Sequence, residues 1–468
     1  MISRRWPLVI VLVALLFGAI VVGSASAPRV APAAAPIDVA TVNAKARASL
    51  WFCPGPPTQA MLGGDRITMT NTGAADAAVV VTARPDKGEQ SQRQFTIPAS
   101  SAITKARTEL GPLGALTVES FGVPIEVEEN LEGNARVAGG PCAADAATRW
   151  YFAAGTTPRG AEQWLVLDDP YASDAKVDIT LRTNNGIRRP DKLQGLDIAR
   201  RSRVVVPIHL YAVREDRVSV AIDVRIGAVV ATQMLTFGGS GAAWSLGSPI
   251  ASDHWVVAEG SATSDATTWV AITNVANNDA QVDVHVLPGN RQVVASAMLK
   301  VAEDDVVWVQ IGGCAAGAAA TDCVPLPAGL RYSVDVRTDE GTPIVVQMLS
   351  RSASVVTAPL GAPQPKVSVV FPSGGVTGGQ GTLLSFVDQQ AAPARVDVTL
   401  VRRGRTIRPT VLQGIIVRPG SRRTVRVAGG NRPSRDTAII ITASVPVFVQ
   451  RSMLGANDAA ISGGVTIG

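Results

Sequence analysis

The stretch from Val177 to Val206, VDITLRTNNGIRRPDKLQGLDIARRSRVVV, is written again from Val396 to Val425 as VDVTLVRRGRTIRPTVLQGIIVRPGSRRTV. No gap is needed, and the offset is 219 positions throughout (396 minus 177). Self-similarity at a constant offset means copies of one folding unit, and it constrains the architecture more than composition can. The segments around each Val-x-Val/Ile extend the pattern to four copies: RITMTNTGAADAAVVV (66–81), WLVLDDPYASDAKVDI (164–179), WVAITNVANNDAQVDV (269–284) and LLSFVDQQAAPARVDV (383–398). Each reads as a strand, a turn centred on Asn71, Asp169, Asn274 or Asp388, and a second strand. Asn and Asp side chains bond their own backbone and tolerate left-handed geometry, so these residues are turn chemistry. In VDITL the aliphatics Val177, Ile179 and Leu181 alternate with Asp178 and Thr180, which puts the first set in a core and the second in water.

The copies also open and close alike. They open with WFCPG at Trp51, WYFAAG at Trp150, WVVAEG at Trp255 and, most eroded, VVFPSGG at Val369. They close with PIEVEENL from Pro124, AVVATQML from Ala228, PIVVQML from Pro343 and PVFVQRSML from Pro446. A period of about a hundred residues is the size of an immunoglobulin-like sandwich and far exceeds a propeller blade or solenoid unit. Short Val-, Ile- and Thr-rich runs separated by 44 Gly and 30 Pro favour strands and turns over helices. The sequence therefore predicts an all-β chain of tandem immunoglobulin-like β-sandwich domains, four repeats over 48–145, 146–245, 250–358 and 365–468.

The first 27 residues differ. Arg4 and Arg5 precede an uncharged apolar run from Trp6 to Val22 and a small-residue stretch, the pattern of an export signal. Ala25-Ser26-Ala27 fits the cleavage rule, but Pro28 would follow the cut and obstruct it, whereas a cut after Ala25 stays open. The preferred expectation is a retained N-terminal transmembrane helix with its basic end inside, so that everything beyond residue 27 is extracytoplasmic. Cleavage would instead release the chain to the cell wall. Residues 28–47, rich in Ala and Pro, read as a linker.

Four cysteines in a compartment that permits disulfides allow three pairings. Cys53 with Cys142 and Cys314 with Cys323 is the choice that keeps each bridge within one repeat. The third copy is the longest, and its excess falls where Cys314 and Cys323 stand, so a disulfide would staple an inserted loop. A metal site is the weaker alternative, since neither pair has C-x-x-C spacing and His209, His254 and His285 are scattered.

The second copy, WYFAAGTTPRGAEQWLVLDDPYASDAKVDITL with a Ser-Arg turn before a valine strand and a closing VVATQML, resembles the WYFAEG-type repeat modules of exported actinobacterial surface proteins. It also resembles an actinobacterial family of secreted proteins that carries a domain of unknown function and one N-terminal apolar segment. The likeness covers about residues 48–468; Cys53 and Cys142 in the first copy depart from it. What the resemblance implies is an extracytoplasmic location and sandwich modules, with no activity attached.

No catalytic signature emerges. GGSGA at 238–242 lacks the last Gly of a nucleophile elbow, no H-E-x-x-H occurs, and the Gly-rich SGGVTGGQGT lacks the Lys-Ser/Thr of a phosphate loop. His209 and His285 have no partner motif and read as structural or solvated. Asp168-Asp169 would be an acid–base pair on a sugar, but adjacent residues in an Asx turn are the plainer reading. The recurring Asp178, Asp283 and Asp397 lack the clustering of a calcium site. Trp150 with Trp164 and Trp255 with Trp269 share one spacing; they would stack on sugars if exposed, but read as packing markers of each module. The chain is expected to be no enzyme and to need no cofactor.

Charge supplies the functional tint. The net charge is +5, and arginines concentrate in the last copy at Arg402, Arg403, Arg405, Arg408, Arg418, Arg422, Arg423, Arg426, Arg432 and Arg435. The matching part of the second copy carries Arg188, Arg189, Lys192, Arg200, Arg201 and Arg203. Outside the membrane the available anions are envelope glycopolymers, phospholipid head groups and acidic proteins, with nucleic acid improbable. A solvated basic surface is the plain alternative, since no aromatics interleave the arginines. The expected function is a non-enzymatic cell-envelope scaffold or interaction surface, membrane-tethered, with envelope proteins as partners. The alternative is a module binding an anionic cell-wall glycopolymer through the basic faces of the second and fourth copies; an unrecognised hydrolase ranks last.

Overall fold

The computed structural model describes residues 40–467, apart from 44, 134–135, 239–240, 264, 290–294, 320, 353–354, 377, 428–432 and 456–457. The export signal and most of the linker read from the sequence lie outside the described residues. Among those described, no helix is long and apolar enough to cross a membrane. The described residues are nearly all β, with 59% strand and 5% helix, as the Val- and Thr-rich runs require.

Each copy builds two sheets in one recurring order. In the first copy, Ala48–Cys53, Gly114–Phe121, Ala77–Pro85 and Ser91–Ile97 form one sheet. Ser101–Ala106, Asp65–Asn71, Glu126–Gly133 and Arg136–Pro141 form the other. The second copy repeats this with Arg149–Phe152, Val218–Ile226 and Ala175–Thr183 in one sheet. Its other sheet holds Ser202–Pro207, Ala161–Asp169, Val230–Phe237 and Gly241–Leu246. In the fourth copy the single strand Ala438–Leu454 runs through both sheets. Side chains from the two sheets interdigitate in a β-sandwich-like core: in the second copy Trp150, Phe152 and Ile179 pack with Leu165, Leu167 and Ala231.

The opening tryptophans are fold markers. Trp51, Trp150 and Trp255 are fully buried. Each Nε1 donates at 2.7 Å to a carbonyl at the entry to the closing strand, that of Ile125, Val229 or Ile344. The turn residues behave as expected. Asn71, Asp169, Asn274 and Asp388 are buried, and each accepts the backbone N–H two residues on at 2.8–2.9 Å. Both expected disulfides are present, Cys53–Cys142 and Cys314–Cys323, and they point to an extracytoplasmic location.

One alternation differs from expectation. Val177, Ile179 and Leu181 are buried, but Thr180 on the opposite face is buried too. Thr180 lies in a row with Ala221 and Tyr151, and the latter two belong to the hydrophobic cluster of the third copy. At this end the outer face of the sheet is therefore covered by the next copy instead of water.

These junctions form a closed circuit within the one compact unit that holds all the described residues. Glu128, Thr232, Gln347 and Gln450 occupy one repeat position, opposite Thr68, Val166, Ala271 and Ser385. Gln347 of the third copy accepts the N–H of Ala154 in the second at 3.0 Å. Gln450 of the fourth accepts that of Glu259 in the third at 3.0 Å. Glu128 of the first accepts that of Ser373 in the fourth at 3.1 Å. The first and second copies meet through Arg84 and Asp168 at 2.6 Å and a cluster of Leu131, Ala138, Met234, Ala242 and Trp244.

Residues 41–42 and 465–467 complete the junction between the fourth and first copies. Thr41–Val42 pairs in parallel with Val465–Ile467, and Val42 and Val465 both enter the first copy's core. Residues 41–42 fall in the stretch read as linker. Two alternating residues are too few to signal a strand, and a partner more than 400 positions away supplies the pairing.

Candidate anion-binding face

Arginines of the second copy are largely engaged. Arg188 pairs with the buried Glu215, and Arg189 reaches Asp304 of the third copy at 3.4 Å. Arg182 also pairs with Asp304. Arg203 bridges back to Asp86 of the first copy at 2.7 Å and caps the carbonyls of Pro54 and Pro56. Arg200 and Arg201 are exposed and make no side-chain ion pair among the described residues.

The fourth copy differs. Arg403, Arg405, Arg408, Arg418 and Arg423 are exposed and Arg402 is half-buried; none makes an ion pair among the described residues. Arg402 and Arg405 face each other across the hairpin formed by Ala394–Arg402 and Arg405–Ile407. Its tip places Arg403 at φ 49° and Gly404 at φ 71°. A two-residue turn with both φ positive matches strand twist, and Asn-Gly is its usual occupant, so Arg403 holds a conformation that a long side chain seldom adopts. The Gly404 N–H donates to Ser101 Oγ of the first copy at 2.7 Å, which anchors the tip. Arg426 is exposed and donates to the Gln380 carbonyl at 2.7 Å. Arg395, on the solvent face of the same hairpin, belongs with these residues. Sequence reasoning passed over it because it stands outside the arginine-dense run, although the constant offset maps it onto Lys176.

Arg422 stands apart from the other candidates. It is buried, with Nη2 3.0 Å from Glu259 Oε2 and Nε donating to Ser333 Oγ at 3.0 Å, both in the third copy. Burial depresses its guanidinium, and Glu259 pulls it back up. It is a junction residue with no face to offer a ligand. Arg432 lies outside the described residues.

The other residues singled out have structural roles. Asp168 is clamped by Arg84, and burial still raises its carboxyl above the usual range. Asp169, held in its turn, is pushed up to about 6, chiefly by burial. His209 Nδ1 lies 3.1 Å from the Gln163 carbonyl, and its ring meets Trp164 edge-on at 4.8 Å. His254 Nε2 lies 2.9 Å from Asp335. Arg225 and the Gly195 N–H hold Asp178 low against its desolvation. Among the described residues no three His, Cys, Asp or Glu side chains gather as a metal site. Where strands of all four copies meet, Ala138, Ala243, Trp244, Thr357 and Ala460 line a cavity of about 10 Å³, room for about one water.

Buried acids within the first copy were not legible in the sequence. Asp65 and Glu129 both rise through burial, Asp65 further through its neighbour Glu129, while burial lowers the adjoining Arg107. Glu126 is buried without an ion-pair partner, accepts only the Thr72 hydroxyl at 3.2 Å among the described side chains, and is pushed up to about 8 by burial.

No curated protein matches the chain. Among solved structures, similarity is found to Thermotoga maritima 1070, with 13% identity over 22% of this chain and 94% of that one, at a TM-score of 0.19. The Anabaena sensory rhodopsin transducer is 23% identical over 21% of this chain and 88% of its own, at 0.17. A tetra-tandem repeat from the extending region of a large adhesion protein is 13% identical over 90% and 99%, at 0.11. At these TM-scores the likenesses carry no argument. Residues 125–349, the end of the first copy with the second and most of the third, match the model of a family of unknown function, DUF5719.

Proposed function

We propose that the protein is an exported, non-enzymatic envelope scaffold of four immunoglobulin-like repeats of the WYFAEG type, which presents one basic face to an anionic component of the cell envelope. The N-terminal segment tethers it at the membrane in this reading, and the disulfides suit the compartment. The observation that carries the reading is the contrast between two matching runs. Arg188, Arg189 and Arg203 are tied into ion pairs, with Arg200 and Arg201 the unpaired candidates of their run, whereas Arg402, Arg403, Arg405, Arg408 and Arg423 have no acid partner among the described residues. Cations kept unpaired on a rigid support attract anions by long-range electrostatics. The closed circuit of junctions supplies the rigidity.

Retention of the purified chain on immobilised poly(glycerol phosphate), measured against salt, tests this. The chain is retained at low ionic strength and released as salt screens the face. Reversal of Arg402, Arg403, Arg405 and Arg408 to Glu abolishes retention. Equal retention by that variant, or no dependence on salt, overturns the reading.

A further inference from the structure

The constant offset allows the outer faces of the second and fourth copies to be compared position by position. Residues 175–206 hold eight cations and three acids, and residues 394–425 hold eight cations and one acid. The lost acids are specific. Asp191 becomes Thr410, and Asp197 becomes Ile416. In the second copy Lys176 lies opposite Asp197 across the strand pair and bonds it at 2.8 Å. In the fourth, Arg395 lies opposite Ile416 at the same register, so the ion pair has become an arginine beside an isoleucine. Lys192 becomes Val411 in the same exchange.

Neither aliphatic is buried. Val411 is 79% exposed, more than any other large apolar side chain among the described residues, and Ile416 is 53% exposed. Both are held outward by their neighbours: Leu412 is buried beside Val411, and Ile415 and Val417 are buried on either side of Ile416. The acid that remains, Asp397, accepts the Gly414 N–H and is half-buried. Arg395, Arg403, Arg405, Arg408, Arg418 and Arg423 are the exposed charges of this stretch.

An anionic polysaccharide rewards cations and gains nothing from exposed isoleucine. An anionic bilayer rewards both, since phosphates attract the arginines and the boundary with the acyl chains accepts the aliphatics. We propose that this face, centred on Val411 and Ile416, docks on an anionic phospholipid surface, with Arg395, Arg408 and Arg418 on the headgroup phosphates. The inference rests on the reading above, that the basic face meets an anion, and names the anion.

All four native cysteines are in disulfides, so one added cysteine can be labelled selectively. Ile416→Cys in the full chain, carrying a polarity-sensitive fluorophore, is mixed with phosphatidylglycerol or phosphatidylcholine vesicles. Val411→Cys serves as a second probe, and Met298→Cys, 75% exposed in the third copy, as the reference. The expected result is a blue shift at 416 and 411 with phosphatidylglycerol alone, diminished at raised salt and on Arg395→Glu with Arg408→Glu, and no shift at 298. An unshifted 416 and 411 in a chain still retained on poly(glycerol phosphate) overturns the bilayer and leaves the basic face binding a polymer. An unshifted pair in a chain that is not retained overturns both.

Discussion

Arg451 of the fourth copy grips Glu128 of the first across 323 positions of sequence, with Nη1 3.0 Å from Oε2 and Nη2 on Oε1. Both side chains are fully buried, and Phe371 lies under the guanidinium at 5.0 Å. Removing one partner of such a pair strands the other charge without water. Glu128→Leu is expected to lower stability by about 3–5 kcal/mol in chemical denaturation. Joint replacement by Leu at 128 and Met at 451 should recover much of that loss. A double variant as unstable as the single would show that the pair itself, and not the stranded charge, holds the junction.

Glu126 makes the molecule sensitive to pH. Its repeat position holds Val230, Val345 and Phe448 in the other copies, so a carboxyl stands where packing favours an apolar group. Its folded pKa of about 8 lies above the ordinary 4.5. The native state therefore holds this proton more tightly than the unfolded chain, and the contribution is complete below about 4.5 and lost as pH rises through about 8. Glu126→Gln should gain on the native protein over that window by about 1.4 kcal/mol for each unit of pH. Parallel stability–pH curves for the two proteins would refute the assignment.

Asp169 carries a milder version of the same cost. Copies one and three use Asn at this place, and Asn71 and Asn274 donate from Nδ2 to the carbonyls of Ala75 and Asn278. Asp169→Asn keeps the acceptor for the Tyr171 N–H and adds that donor. With the carboxyl raised to about 6, the native protein loses this group's contribution between about 3.8 and 6. The variant should melt higher than the native protein at pH 8 and by less at pH 4.

Gln347 tests the repeated junction bond. It is fully buried, accepts the Ala154 N–H and donates to the Ala358 carbonyl at 2.8 Å. Gln347→Leu leaves the Ala154 N–H unsatisfied, while the Ala358 carbonyl keeps the Ser245 hydroxyl at 2.8 Å, and one stranded donor costs about 1–3 kcal/mol. A loss below about 1 kcal/mol would mean that the copies adjust against each other.

The two disulfides should differ in weight. Cys53–Cys142 closes a separation of 89 residues and Cys314–Cys323 one of 9. On loop-closure entropy the first contributes about 4–5 kcal/mol and the second about 2–3. Unfolding of the paired Cys→Ser variants measures the difference, and the reverse order would place the stapled loop in the stability core.

Much of the second copy could be read directly, because turn chemistry and alternation are local. Asp169 could be assigned to its turn, Trp150 to the core and Cys53 to Cys142 without coordinates. The arginine face was legible only as a list. Arg422 and Arg423 are neighbours in sequence, yet one is buried on Glu259 and the other is exposed, and no local pattern separates them.

The amino-acid sequence by itself determined the strands, their turns and the four-fold repetition, since period-two hydrophobicity and Asx turns act over a few residues. Tertiary structure decided what each outward face meets. Thr180 is buried because the third copy covers it, and Glu128 is satisfied because Arg451 returns from the far end of the chain. Val42 finds a core because its short strand pairs with residues 465–467. Those outcomes depend on long-range desolvation and on register between copies, neither of which is written in any single repeat.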